Sequence, residues 1–131
     1  MSDNFFREIK IQFLTEAIET MQAVESFSLE LEKNPNNSET LEAMFRLAHN
    51  FKGAGKAVGF DHISEFGHKV ENLLVAIRNK IVPTDPDVIQ VLLECIDRLN
   101  SDINVLQQDL DAKLIHTDEE NKINIIKPKQ N

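Results

Sequence analysis

Four apolar stripes, set apart by three short breaker segments, limit what this chain can fold into. In the first, Phe6, Ile9, Phe13, Ala17, Thr20, Val24, Phe27 and Leu31 recur at three- and four-residue steps, with Leu14, Ile18 and Met21 widening the band. Lys33-Asn34-Pro35 stops it, and Asn36 with Glu39 fits a capping box that opens a second helix. Leu41, Met44, Leu47, Ala48, Phe51, Ala54 and Val58 make the apolar face of that helix, and Gly59 is its natural left-handed end. Asp61 reads as the cap of a third helix, with Ile63, Phe66, Val70, Leu73, Leu74 and Ile77 inward. Asp85 and Pro86 suit the cap and first position of a fourth, whose stripe runs Ile89, Leu92, Ile96, Leu99, Ile103, Leu106 and Leu110.

Short loops between such helices make consecutive helices antiparallel neighbours. The expected fold is therefore all-α: an antiparallel up-down four-helix bundle over residues 1–114. After Leu114 the pattern fades, so 115–131 reads as linker or flexible tail, with Ile123, Ile125 and Ile126 leaving room for a short fifth helical segment.

The second and third helices carry polar residues that a core does not explain. On a 3.6-residue period His49, Lys52, Gly53 and Lys56 share the face opposite the apolar one. Positions 49 and 71 lie eleven residues either side of Phe60, and 52 and 68 lie eight either side. Residues equidistant from the turn of an antiparallel pair sit at one height, so a folded hairpin groups His49, Lys52, His68 and Glu71. A carboxylate that accepts the proton of one imidazole nitrogen fixes the tautomer and makes the other the nucleophile. Lys52 and His68 are placed to hydrogen-bond Glu71 or to neutralise a bound phosphoryl group. Gly53 and Gly55 each cost roughly 0.5–1 kcal/mol within a helix, which calls for a compensating role. Gly53 leaves room beside the imidazole for a docking partner, Gly55 suits close helix packing, and Lys56 can reach an acidic partner surface.

Charge narrows the function further. The net charge of −8 argues against general nucleic-acid binding, yet residues 43–60 hold Arg46, Lys52 and Lys56 with no acid. No apolar run approaches the ~20 residues of a membrane span, and Met1-Ser2-Asp3-Asn4-Phe5-Phe6 lacks the basic and apolar parts of a secretory signal. A cytoplasmic location follows as the expectation. The single Cys95 lies in the fourth apolar pattern and reads as a buried structural thiol.

The segment Phe45-Arg46-Leu47-Ala48-His49-Asn50-Phe51-Lys52-Gly53, closed by Gly59-Phe60, resembles the signature of histidine-containing phosphotransfer (HPt) domains. His68-Lys69-Val70-Glu71-Asn72-Leu73-Leu74 resembles the companion helix in the amino-terminal domain of CheA-type chemotaxis kinases. The likeness covers roughly residues 5–112. It implies His49 as the phosphorylated residue, Glu71 as its hydrogen-bond partner, Lys52 and His68 as the supporting network, and Gly53 as the permissive surface. Asn50 stands where the family more often has Ser or Thr. Its partners would be a histidine kinase catalytic domain and a CheY-like response regulator receiver, with ATP and Mg²⁺ bound by those domains and none by this one. There is no Gly-x-x-x-x-Gly-Lys-Ser/Thr loop, so the chain reads as substrate and carrier rather than an enzyme; the four stripes can close on one another, so a monomer is expected.

Three other readings compete. The first is a stand-alone carrier rather than the opening domain of a CheA-like kinase. The second is an adaptor bundle that is never phosphorylated. The third is a metal site from His49, His68 and Glu71, for which bundles normally supply repeated Glu-x-x-His pairs. Here the spacing from His68 to Glu71 has the reversed order, His-x-x-Glu.

Overall fold

In a computed structural model, described here for residues 3–126, five helices follow one another: α1 (Asp3–Lys33), α2 (Ser38–Ala57), α3 (Asp61–Arg78), α4 (Pro86–Gln108) and α5 (Thr117–Asn124). Each of the first four packs on its neighbours in sequence, α4 returns to α1, and the diagonal backbones stay farther apart. That is the up-down bundle expected from the stripes. Among the described residues there is no strand, and no helix is long and apolar enough to cross a membrane. Phe66, Leu14, Leu31, Met44, Ile63 and Leu92 are among the fully buried side chains at the centre.

Local chemistry sets the helix ends. Gly59, at φ +91°, closes α2 in a Schellman turn: Phe60 N–H donates to the Gly55 carbonyl at 2.9 Å and Gly59 N–H to that of Lys56 at 3.1 Å. The same turn closes α3 through Lys80, held at φ 59° without a glycine, with Ile81 N–H on the Ala76 carbonyl at 2.8 Å. At α4, Asp85 Oδ1 accepts from Val88 N–H at 2.9 Å and Pro86 takes the first turn, as its sequence indicates.

Four details depart from the sequence reading. Asn37, not Asn36, caps α2, its Oδ1 accepting from the N–H groups of Glu39 and Thr40. Asn36 instead accepts from the Thr84 hydroxyl, tying the α1–α2 loop to the α3–α4 loop. Asp61 lies inside α3 and makes no cap; Phe60 holds that position and buries its ring. Ala54 is exposed and Gly55 takes the inward place, while Phe6 is 54% exposed because α1 outruns its neighbours. A Cβ on Gly55 would stand 3.3 Å from Ile63 Cγ2 and 3.5 Å from Phe13 Cζ, so α2 crosses α3 closely enough there that a methyl would press on Ile63.

Within residues 115–131, read as linker or flexible tail, 117–124 form α5, the short fifth helical segment for which the sequence leaves room, and it lies on α3 and α4. The polar run conceals the reason. His116 is buried, stacks on Phe66 with centroids 4.2 Å apart and planes at 12°, and meets Asp102 of α4 through Nε2. Arg98–Glu119, Lys69–Glu120 and Lys122–Glu94 pairs hold the rest of α5 down. Ile123 and Ile126 pack at the core's edge, whereas Ile125 is exposed. Residues 127–131 of the expected tail lie outside the described part.

Candidate functional site

The three-residue connection between α2 and α3 forces the register that the sequence counting anticipates. One seam runs along their outer junction. On α2 it carries Glu42, Phe45, His49 and Lys52, three and four residues apart; on α3 it carries Ser64, Glu71 and Arg78, at seven-residue steps. Ser64 Oγ donates to the Lys52 carbonyl at 2.9 Å, pinning the helices one turn from the histidine.

His49 stands at the middle of this seam with Nδ1 3.2 Å from Glu71 Oε1. Its side chain is 58% exposed and that of Glu71 only 11%. The imidazole is thus presented to solvent while its anchor is covered. Glu71 Oε2 is shut off from solvent and faces Lys52 Nζ at 3.0 Å, an ion pair without the alignment of a good hydrogen bond. Burial is the largest influence on Glu71 and by itself would raise its pKa. The close approach and charge of Lys52, and then of His49, outweigh it and leave the carboxyl below its ordinary range. Glu71 is therefore a carboxylate at neutral pH. A carboxylate only accepts, so Nδ1 carries the proton, and in the neutral ring Nε2 on the far edge has the lone pair.

The other expected residues fall into place unevenly. Lys52 makes the contact to Glu71 that was anticipated for both Lys52 and His68. Among the described residues His68 makes no hydrogen bond or ion pair; it lines an open groove with Lys52, Gly53, Lys56 and Glu65, next to the histidine. Gly53 is exposed, and a Cβ there would meet nothing within 4 Å, so the surface one turn from His49 is clear. Lys56 is exposed on the same face. Among the described residues no three His, Cys, Asp or Glu side chains cluster closely enough to hold a metal ion.

Two groups were not anticipated. Phe45 lies against His49, and Arg78 lies over Phe45 while pairing with Glu42 at 3.0 Å. The counting that levels 49 with 71 also levels 42 with 78, eighteen residues either side of Phe60, so this pair was within reach of the sequence. The buried His116–Asp102 pair had no such signal, since His116 opens a polar run.

Comparison with known proteins places these features in a family. The Hpt-domain family model matches residues 8–102. The chemotaxis protein CheA of Listeria monocytogenes is 29% identical over 128 residues, covering 88% of this chain. The chain spans about a fifth of that relative, 21% of its length. The CheA phosphotransferase domain from Thermotoga maritima superposes with a TM-score of 0.70 at 26% identity, covering 81% of this chain and 98% of that one. The phosphorylated P1 domain of CheA3 from R. sphaeroides, solved in complex with CheY6, shares the fold with a TM-score of 0.76 at 23% identity, over 89% of this chain and 91% of that domain.

Proposed function

This chain belongs to the Hpt-domain family, and from that premise we propose that it carries a phosphoryl group in chemotaxis-type two-component signalling, with His49 as the acceptor. The observation that supports this most is the pairing of a solvent-presented imidazole with a covered carboxylate on its Nδ1.

The chemistry follows from that pairing. The lone pair on Nε2 attacks the γ-phosphorus of ATP held by a kinase catalytic domain; the P–N bond forms as the P–O bond to the leaving ADP breaks. No proton has to leave, because Nε2 carries none. The ring gains positive charge as the bond forms, and Glu71, 3.2 Å from Nδ1, stabilises it while retaining the Nδ1 proton. Lys52 keeps Glu71 ionised and adds positive charge near the incoming phosphoryl oxygens. Transfer onward reverses the bond: an aspartate oxygen of a receiver domain attacks phosphorus, the P–N bond breaks and the electron pair returns to Nε2.

Phosphoryl transfer depends chiefly on positioning and charge, and this chain contributes the positioned nitrogen. ATP and Mg²⁺ belong to the partner domains. In this reading Gly53 and Lys56 form part of the docking face and His68 borders it. The chain acts in the cytoplasm as a monomeric carrier, the first domain of a CheA-like kinase. The test is incubation with a CheA-type kinase domain and radiolabelled ATP. Label that is acid-labile and alkali-stable is expected on the chain and lost in His49→Gln. Label retained by that variant at the original rate overturns the assignment.

A further inference from the structure

A single hydrogen bond to Nδ1 leaves an exposed ring free to swing about it, so something else must fix the direction of Nε2. Phe45 sits one turn earlier on the same helix, its ring centroid 6.0 Å from that of His49 and the planes 30° apart. Long helical side chains lean toward the preceding turn, which brings a residue down onto its i−4 neighbour. Phe45 is itself only half-buried, so the core does not hold its ring. Arg78, the last residue of α3, does: its guanidinium carbon lies 4.6 Å from the Phe45 centroid. Arg78 is in turn fixed by Nη1 donating to Glu42 Oε2 at 3.0 Å, and Glu42 also faces Arg46 Nε at 3.6 Å.

Resting on the reading of His49 as the phosphoacceptor, we propose that Phe45, pinned by Arg78, is a positioning residue for the imidazole. It selects the rotamer in which Nδ1 meets Glu71 and Nε2 points outward. The ring is then gripped twice, at one nitrogen by α3 and against its side by the preceding turn of α2. The α3 C-terminus takes part through Arg78, seven residues beyond Glu71 on the same seam. Aromatic contacts at this separation shift such populations by about two- to tenfold.

The test uses the whole chain with ¹⁵N-labelled histidine. Long-range ¹H–¹⁵N spectra read the tautomer of His49, and phosphoramidate, a small phosphoryl donor needing no protein partner, reads its reactivity. The wild type is expected to show one Nδ1–H tautomer. Phe45→Leu should mix the tautomers and slow phosphorylation about two- to tenfold, whereas Phe45→Tyr should keep both at wild-type values. Arg78→Gln, which leaves the core untouched, should move both readouts in the direction of Phe45→Leu by a smaller factor.

A Phe45→Leu chain with the wild-type tautomer and rate overturns the proposal, as does a Phe45→Tyr chain as slow as Phe45→Leu. Should Phe45→Leu unfold, Arg78→Gln decides alone, and unchanged spectra there overturn the proposal. A wild-type chain that takes phosphoryl from neither phosphoramidate nor a kinase refutes the phosphoacceptor reading instead, and the spectra still judge Phe45.

Discussion

Replacing Glu71 by glutamine removes a charge while keeping a hydrogen-bond acceptor for Nδ1–H, so it isolates what the carboxylate does electrostatically. As Nε2 bonds to phosphorus the ring approaches a unit positive charge, 3.2 Å from Oε1. The attraction is about 1.3 kcal/mol at the dielectric of water and about 5 kcal/mol at an effective value of 20. Because the His49 side chain is 58% exposed, the water-like end applies more closely. Glu71→Gln should therefore lose about 1.4–2.7 kcal/mol of transition-state stabilisation, a drop of about 10- to 100-fold in phosphorylation rate. Single-turnover kinetics with phosphoramidate and with a kinase domain measure it. Glu71→Ala, which also removes the acceptor, should be slower still. A glutamine variant as fast as wild type, beside a slow alanine variant, would show that orientation alone matters and refute the charge argument. The same carboxyl sets an acid limit. Its folded pKa is below the ordinary 4.5, so its stabilisation is fully present above that value and is lost as pH falls through the folded pKa. Urea melts of wild type and Glu71→Gln should converge over that interval.

Gly53→Ala and Gly55→Ala gain the same helix propensity two residues apart, so their difference reports packing. Gly53→Ala, with nothing within 4 Å of the new methyl, should stabilise by about 0.5–1 kcal/mol in urea unfolding. Gly55→Ala presses on the stiff Ile63 at 3.3 Å and should destabilise, and equal shifts for both would refute the close crossing. His116→Ala strands the buried Asp102 carboxylate, a loss of about 3 kcal/mol or more; a loss below about 1 kcal/mol, the scale of a surface change, would mean that 116–126 do not dock on α3 and α4. Cys95 is fully buried, and burial first and the neighbouring Glu119 second push its thiol up to about 12. It should resist a disulfide reagent at pH 8 until the chain unfolds, and rapid native labelling would contradict that burial.

The bundle and the centre of the site were legible because both rest on periodicity. Apolar steps of three and four define helices whose length outweighs local error, and a tight turn at Gly59-Phe60 converts sequence distance into height. That conversion is why the sequence alone puts His49 and Glu71 at one height. What escaped rests on side chains whose purpose is not periodic. Asn36 and Asn37 are equivalent cap candidates until the loop closes and Thr84 takes one of them. His116 looked like part of a polar tail because its partners, Asp102 and Phe66, belong to two other helices. His68 met the height criterion, yet only the longer Lys52 reaches the carboxylate, since equal height does not fix where a side chain ends.

The two histidine–carboxylate pairs among the described residues show how burial separates a structural role from a chemical one. His116 and Asp102 are 5% and 4% exposed, so both ends of that pair are sealed and its effect is to fasten α5. His49 and Glu71 have the same partners by type but open on one side, at 58% and 11%. Only the second pair leaves a nitrogen that a phosphoryl donor can approach, and only there does a lysine neutralise the carboxylate from behind. Exchanging the exposures would exchange the roles. Phosphoramidate should accordingly modify His49 and spare His116 in the native chain, then modify both in urea. Native modification of His116 at a comparable rate would show that burial does not divide these two histidines.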